Sequence, residues 1–247
     1  IDKMGWLEKV IVTPSHHRVH HGINPEYLDK NYSAIFIIWD KIFGTFQPEL
    51  VNVKPVYGIL RPADTWNPII INFKHFWQLI QDAFLTEKWW DKIRIWFMPT
   101  GWRPEDVAKN YPVKTIENPF EQIKYKTANS PILIGWAWLQ MFITFGLMFH
   151  LFMVSTRVEP TLIFLYALFL IINVFAYTSL LDGKKYAIYS EGIKFMLGVG
   201  FMWLQEFSWF GTEGKPAIII GVYLFISLGM TIYFLKAEPK SHQLTPA

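Results

Sequence analysis

The chain contains no cysteine. Disulfides, thiolate-bound zinc and iron–sulfur clusters are therefore excluded, and any metal must be held by imidazole or oxygen donors. Charge is also scarce. Asp, Glu, Lys and Arg make up 17% of the 247 residues, well below the roughly one quarter found in ordinary soluble domains. The net charge of +3 is small and spread along the chain, so there is no electrostatic footprint for nucleic acid. The opening stretch IDKMGWLEKVIVTPS lacks the basic segment and apolar core of a secretory signal. Internal repeats and low-complexity segments are missing too. What the chain has in excess is apolar and aromatic residues, 52% and 18%, with a mean hydropathy of +0.21. That balance points to a membrane protein.

Composition divides the chain near residue 129. Residues 1–129 hold most of the prolines and well-mixed charges and read as a cytoplasmic or interfacial region. Residues 130–247 read as a transmembrane helical region. Three runs, 130–155, 160–181 and 216–235, carry no formal charge and are long enough to cross a hydrocarbon core of about 30 Å. Each has Pro at or near its start, where the missing N–H costs nothing. A fourth segment, 185–207, contains Glu191, Lys194 and Glu206, which are costly at a bilayer centre. It is read as a span because the loop charges then fall into order. Lys124, Lys126, Lys184, Lys185, Lys236 and Lys240 share one side, and only Arg157 and Lys215 occupy the other. By the positive-inside tendency that side is cytoplasmic. The expected fold is all-α: a polytopic helical membrane protein with a cytoplasmic helical region bearing the histidines.

In the first half, TPSHHRVHH reads as a helix start capped near Thr13 or Ser15. The apolar stretch SAIFIIWDKIFGTF is expected to end at Gly44. Residues 72–98 have amphipathic helical spacing, with Phe73, Phe76, Trp77, Ile80, Phe84 and Leu85 able to share one face. Their many Trp and Lys residues suit either a membrane interface or a core-facing helix.

Four of the seven histidines lie between positions 16 and 21; His75, His150 and His242 are isolated. On a helix His17, His20 and His21 leave from one arc about 100° wide. His17 and His21 form an i, i+4 pair, the spacing that lets two rings reach one ion. His20 lies beside them, and His16 is a further ligand or an orienting donor. Metal-bound imidazoles usually donate their second N–H to a carboxylate or carbonyl. Asp29 and Asp40 are the candidate carboxylates for that role, with Asn24 and Asn31 as amide alternatives. Imidazole alone does not choose among iron, zinc, copper and nickel.

The segment TPSHHRVHHGINPEYLDKNYSAIFIIWDKIFGTFQPE resembles the third histidine box and following segment of the membrane-bound fatty acid hydroxylase/sterol desaturase superfamily. Within it the likeness is greatest to the branch that cleaves glyceryl ethers. The resemblance implies a membrane-embedded non-haem di-iron monooxygenase that hydroxylates a lipid C–H bond with O2 and an external electron donor. Tetrahydrobiopterin is the reductant in the ether-cleaving branch. The box maps onto His17, His20 and His21 as iron ligands and leaves His16 outside. Sterol or fatty-acid hydroxylases and desaturases of the same superfamily, and a non-catalytic membrane subunit, are the rival readings. The family's first two histidine boxes have no counterpart here. The chain, which starts at Ile1 with the motif close behind, is thus expected to be the C-terminal part of a longer enzyme. Membrane lipid is the expected substrate, and a homo-oligomer or a larger membrane complex is compatible with it. The bacterial inner membrane and the endoplasmic reticulum fit equally, with the histidines on the cytoplasmic side.

Overall fold

The computed structural model describes residues 4–238 and 245–246. Lys240 and His242 lie outside the described residues. The chain is almost entirely helical. In the first half come α1 (Pro14–His20), α2 (Ile38–Phe43), α3 (Pro68–Leu85), α4 (Trp89–Arg94) and α5 (Glu105–Asn110). The second half holds α6 (Pro131–Val154), α7 (Pro160–Leu181), α8 (Ala187–Leu204) and α9 (Lys215–Ala237).

Contacts divide the chain into two compact units. One takes Ile1–Ala63 and Asp82–Lys124 with the last two residues; the other takes Asp64–Gln81 and Tyr125–Thr245. The compositional boundary near 129 is thus drawn a few residues earlier, and a short stretch from the first half is grouped with the long helices. Buried polar contacts explain why. The Trp66 N–H and the Thr65 hydroxyl both donate to Asp182 at the end of α7, and the Asn67 amide donates to Ser179 Oγ and the Phe175 carbonyl.

In the first unit short helices are tied together by loop hydrogen bonds. Val12 N–H donates to the Ile35 carbonyl and Ile37 N–H to the Val10 carbonyl, which sets the approach to α1 beside the approach to α2. Gly44 ends α2 in a left-handed conformation (φ 74°), so Thr45 and Phe46 can both donate to the Asp40 carbonyl. The stretch 72–98 is two helices rather than one. They break at Thr86–Lys88, where Thr86 Oγ1 and Glu87 N–H donate to the Asp106 carboxylate. Phe73, Phe76, Trp77 and Phe84, the face read from the periodicity, are all more than half exposed.

In the second unit α6, α7 and α9 are long and apolar enough to cross a membrane. Each is capped by Pro in its first turn, and Ser130 Oγ also accepts from Leu133 N–H at the start of α6. At about 1.5 Å per residue their 22 to 24 residues cover a bilayer core. α8 packs against α7 and α9. Gly198 marks the close approach, since a Cβ there would lie 2.6 Å from Leu224 Cδ1 on α9. Aromatic rings fill one end of the bundle, with Tyr166, Phe169, Phe201, Trp209 and Phe210 in mutual contact.

Its middle is polar. The buried ion pair Glu191–Lys194 (2.6 Å) on α8 faces Ser227 and Tyr223 of α9, with Lys194 Nζ 2.7 Å from Ser227 Oγ. Gln140 Nε2 of α6 donates to Ser227 Oγ, and the single Tyr223 O–H is shared between Gln140 Oε1 and Asn173 Oδ1 of α7. The charges that made 185–207 ambiguous therefore point inward and are paired.

Candidate functional site

The histidine helix α1 begins as the sequence suggests, with Thr13 as cap and Pro14 in the first turn. His16 completes the cap. Its Nδ1 accepts the Thr13 backbone N–H (3.3 Å), the part a Glu or Gln plays in a capping box. The ring is buried beneath Phe46, and this burial holds its pKa below the ordinary value. His16 thus builds the helix rather than facing its neighbours.

His17, His20 and His21 cluster on one face, with ring centroids 4.5 to 6.0 Å apart. His17 Nε2 and His21 Nε2 approach to 3.1 Å. Desolvation, and then repulsion by His17 and His20, lower the His21 pKa, which favours the neutral form that binds metals. His20 is oriented separately: its Nδ1 lies 3.4 Å from the Lys30 carbonyl. With Nδ1 as donor, Nε2 keeps its lone pair, the arrangement typical of ligand imidazoles.

The residues on either side of Lys30 shape that turn. Asp29 and Asn31 both adopt left-handed backbone (φ 57° and 53°), a conformation Asp and Asn tolerate best among residues with a Cβ. Asp29 Oδ1 accepts from Tyr32 Oη, and Tyr32 packs edge-on against His20. The Asn31 amide donates to the carbonyls of His16 and Gln47 and accepts from Gln47 N–H, tying α1 to the segment after α2. Asp40 accepts from Tyr32 N–H, Ser33 N–H and Thr45 Oγ1. Burial alone would raise its pKa, but these hydrogen bonds outweigh it and hold the carboxyl below its usual range. Asn24 spans Glu26 and Val56 N–H. Of the expected orienting groups, then, Asp29 and Asn31 act through the loop they shape, while Asp40 and Asn24 brace loops.

Sequence reasoning missed the Lys30 carbonyl and the opposite wall. A shallow cleft beside the histidines is lined by His17, Arg18, His21, Tyr57, Gly58 and Ile59. Arg18 is held by a two-pronged ion pair with Glu49, 2.5 to 3.0 Å. Tyr57 is brought in because Gly22 and Tyr57 pair and Gly58 N–H donates to the His21 carbonyl. Isolated aromatic and glycine positions 36 residues along the chain carry no periodic signal that would have revealed this.

Does the cluster suit a metal? Two nitrogens bonded at about 2.1 Å to one ion and roughly at right angles lie about 3 Å apart, and the His17–His21 pair matches that separation. Among the described residues, however, no group of three or more His, Asp or Glu side chains is arranged to hold an ion. The site fits a two-imidazole grip with His20 alongside, and a two-metal centre would need further donors.

The fatty acid hydroxylase family model matches residues 2–45, the segment with these histidines. The chain is similar to the alkylglycerol monooxygenase of Homo sapiens, 30% identical over 84% of this chain and 45% of that protein. The Xenopus tropicalis alkylglycerol monooxygenase is 27% identical over 99% of the chain and 54% of that protein. With the Caenorhabditis elegans alkylglycerol monooxygenase identity rises to 49%, over 80 residues. The chain spans about half the length of the curated relatives it matches over most of its length. No solved structure gives a significant match.

Proposed function

We propose, with the match of the histidine segment to the fatty acid hydroxylase family as premise, that this chain is the histidine-bearing, membrane-anchoring part of a di-iron lipid monooxygenase acting on alkylglycerol ethers. The observation that carries this reading is the 3.1 Å approach of His17 Nε2 to His21 Nε2 inside the matched segment. Iron bound there would supply the activation of O2 for inserting oxygen into a C–H bond. His17 and His21 would hold it, with His20 presented by the Lys30 carbonyl as the ligand to a second, adjacent ion. Arg18, fixed by Glu49, keeps the cleft floor rigid, and Ile59 and Tyr57 give it an apolar wall beside which an alkyl chain can lie. Hydroxylation of the carbon next to an ether oxygen gives a hemiacetal, which collapses to a fatty aldehyde and glycerol. Tetrahydrobiopterin is the reductant we propose, on the likeness to alkylglycerol monooxygenases alone. On this reading the histidines face the cytoplasm, where a soluble reductant would reach them.

The test is iron content and ether cleavage in membranes from cells expressing the chain within its complete protein. His20→Ala should lose iron and aldehyde release, whereas His16→Gln, changing only the cap, should keep iron. Oxidation of a sterol or acyl chain without ether cleavage would reassign the substrate. The lack of a three-donor set among the described residues favours one second reading, a non-catalytic membrane subunit. Metal-free protein with all histidines intact would establish it.

A further inference from the structure

At the end of the bundle where α6 begins and α7 and α9 finish there is a cavity of about 330 Å³. Its walls include Leu133, Leu180, Ile188 and Ile232, next to the buried cluster of Trp136, Ala187 and Phe234. Lys185 and Lys236 also line it. Both are exposed, and among the described residues neither ammonium has a hydrogen-bond or ion-pair partner. The one carboxylate in the lining is already committed: Glu238 accepts the Ser130 N–H and the Ser130 hydroxyl at the start of α6. Asn129 is likewise bonded, to Thr127 Oγ1 and the Leu181 carbonyl.

The cavity therefore offers apolar walls and, with two ammonium groups against the single carboxylate of Glu238, an excess of positive charge at the ends of helices long enough to cross a membrane. Its volume suits the upper part of a lipid chain and not a whole lipid. A neutral ligand would make no use of the excess positive charge, and a free anion would leave the walls unfilled. We propose that this is a binding site for an anionic phospholipid, its phosphate engaged by Lys185 and Lys236 and the start of its acyl chain lying against Leu133, Ile188 and Ile232. Such a lipid is concentrated in the cytoplasmic leaflet, the side to which the Lys-bearing ends are assigned.

The experiment uses the full chain in detergent, equilibrated with equal amounts of phosphatidylglycerol and phosphatidylcholine of identical chains. Native mass spectrometry then counts the bound lipid. Phosphatidylglycerol should be retained in preference. Each Lys→Gln change at 185 or 236 should reduce that preference about fivefold, and the double variant should bind the two lipids alike. Lys185→Arg with Lys236→Arg should keep the preference, and Lys215→Gln, at the other end of α9, should not alter it. Equal binding by the unmodified protein, or a preference surviving in the double Gln variant, would overturn the site. Loss of the bound lipid to inorganic phosphate alone would overturn the lipid assignment.

Discussion

At the residue scale, Asp40 shows how a side chain near a site can serve it without touching it. Its carboxylate gathers two backbone N–H groups from before α2 and a hydroxyl from just after it. Asp40→Asn keeps the shape but cannot accept all three as strongly, which should cost about 1–3 kcal/mol. Because the folded pKa is depressed, the stabilisation is fully present above the unfolded value of about 3.9 and fades as pH falls through the lower folded value. Hydrogen exchange at Tyr32, Ser33 and Thr45 should be faster in the variant at neutral pH and converge with the unmodified protein well below pH 4. Gly22 is a second critical position. A Cβ there would lie 2.9 Å from Tyr27 Cβ and 3.1 Å from the Val19 carbonyl. Tyr27 cannot retreat, since its hydroxyl bridges Val53 O and Leu50 N–H. Gly22→Ala should thus push Tyr57 off the cleft wall and lower ether cleavage while leaving iron content intact. Equal loss of both would show that α1 itself had been disrupted. These residues also mark what the sequence could and could not convey. The arc of His17, His20 and His21 was legible because a helix advances a fixed angle per residue. The Lys30 carbonyl was not, because its direction depends on two left-handed neighbours, and a carboxylate's nearness in sequence did not make Asp40 a partner of any imidazole.

At the scale of the elements, the long apolar runs were legible almost to the residue: α6 and α7 begin at the prolines that open the runs, and α9 one residue before its own. The break between α3 and α4 was not, because it depends on Asp106, a residue about twenty positions away. α8 is the element whose sequence and surroundings disagree, and its polar residues decide its behaviour. Lys194 is fully buried and its ion pair with Glu191 is joined to Ser227, Tyr223, Gln140 and Asn173. Lys194→Met would leave the Glu191 carboxylate buried without a cation, and removing one member of a buried pair costs about 3–5 kcal/mol. Adding Glu191→Gln should restore much of that loss, because it removes the stranded charge. Unfolding in mixed micelles of increasing sodium dodecyl sulfate measures all three variants. A double variant no more stable than Lys194→Met would mean that the network, and not the pairing of charge, holds α8.

At the scale of the whole molecule, the inward-facing pair bears on how the chain threads the bilayer. If α8 lay on the surface, its burden of charge would be solvated and the pair would have no reason to be buried against polar partners on α9. We therefore propose α8 as a fourth crossing beside the three helices apolar enough to span, which would return the end of α9 to the side from which α6 starts. The cysteine-free sequence makes this directly testable on this chain, where a single introduced thiol has no native competitor. Exposed positions at the two ends of the bundle are Lys185, between α7 and α8, and Thr156 and Glu213, in the loops after α6 and before α9. A maleimide that cannot cross membranes should label Lys185→Cys from the cytoplasmic side, and Thr156→Cys and Glu213→Cys only from the opposite side. Val51→Cys, 89% exposed in the histidine-bearing unit, should label with Lys185→Cys if the site faces the cytoplasm. Labelling of Glu213→Cys together with Lys185→Cys would reduce the crossings to three. The interior pair would then have to be explained by packing alone, and the assignment of the Lys-bearing ends to one leaflet would fall with it.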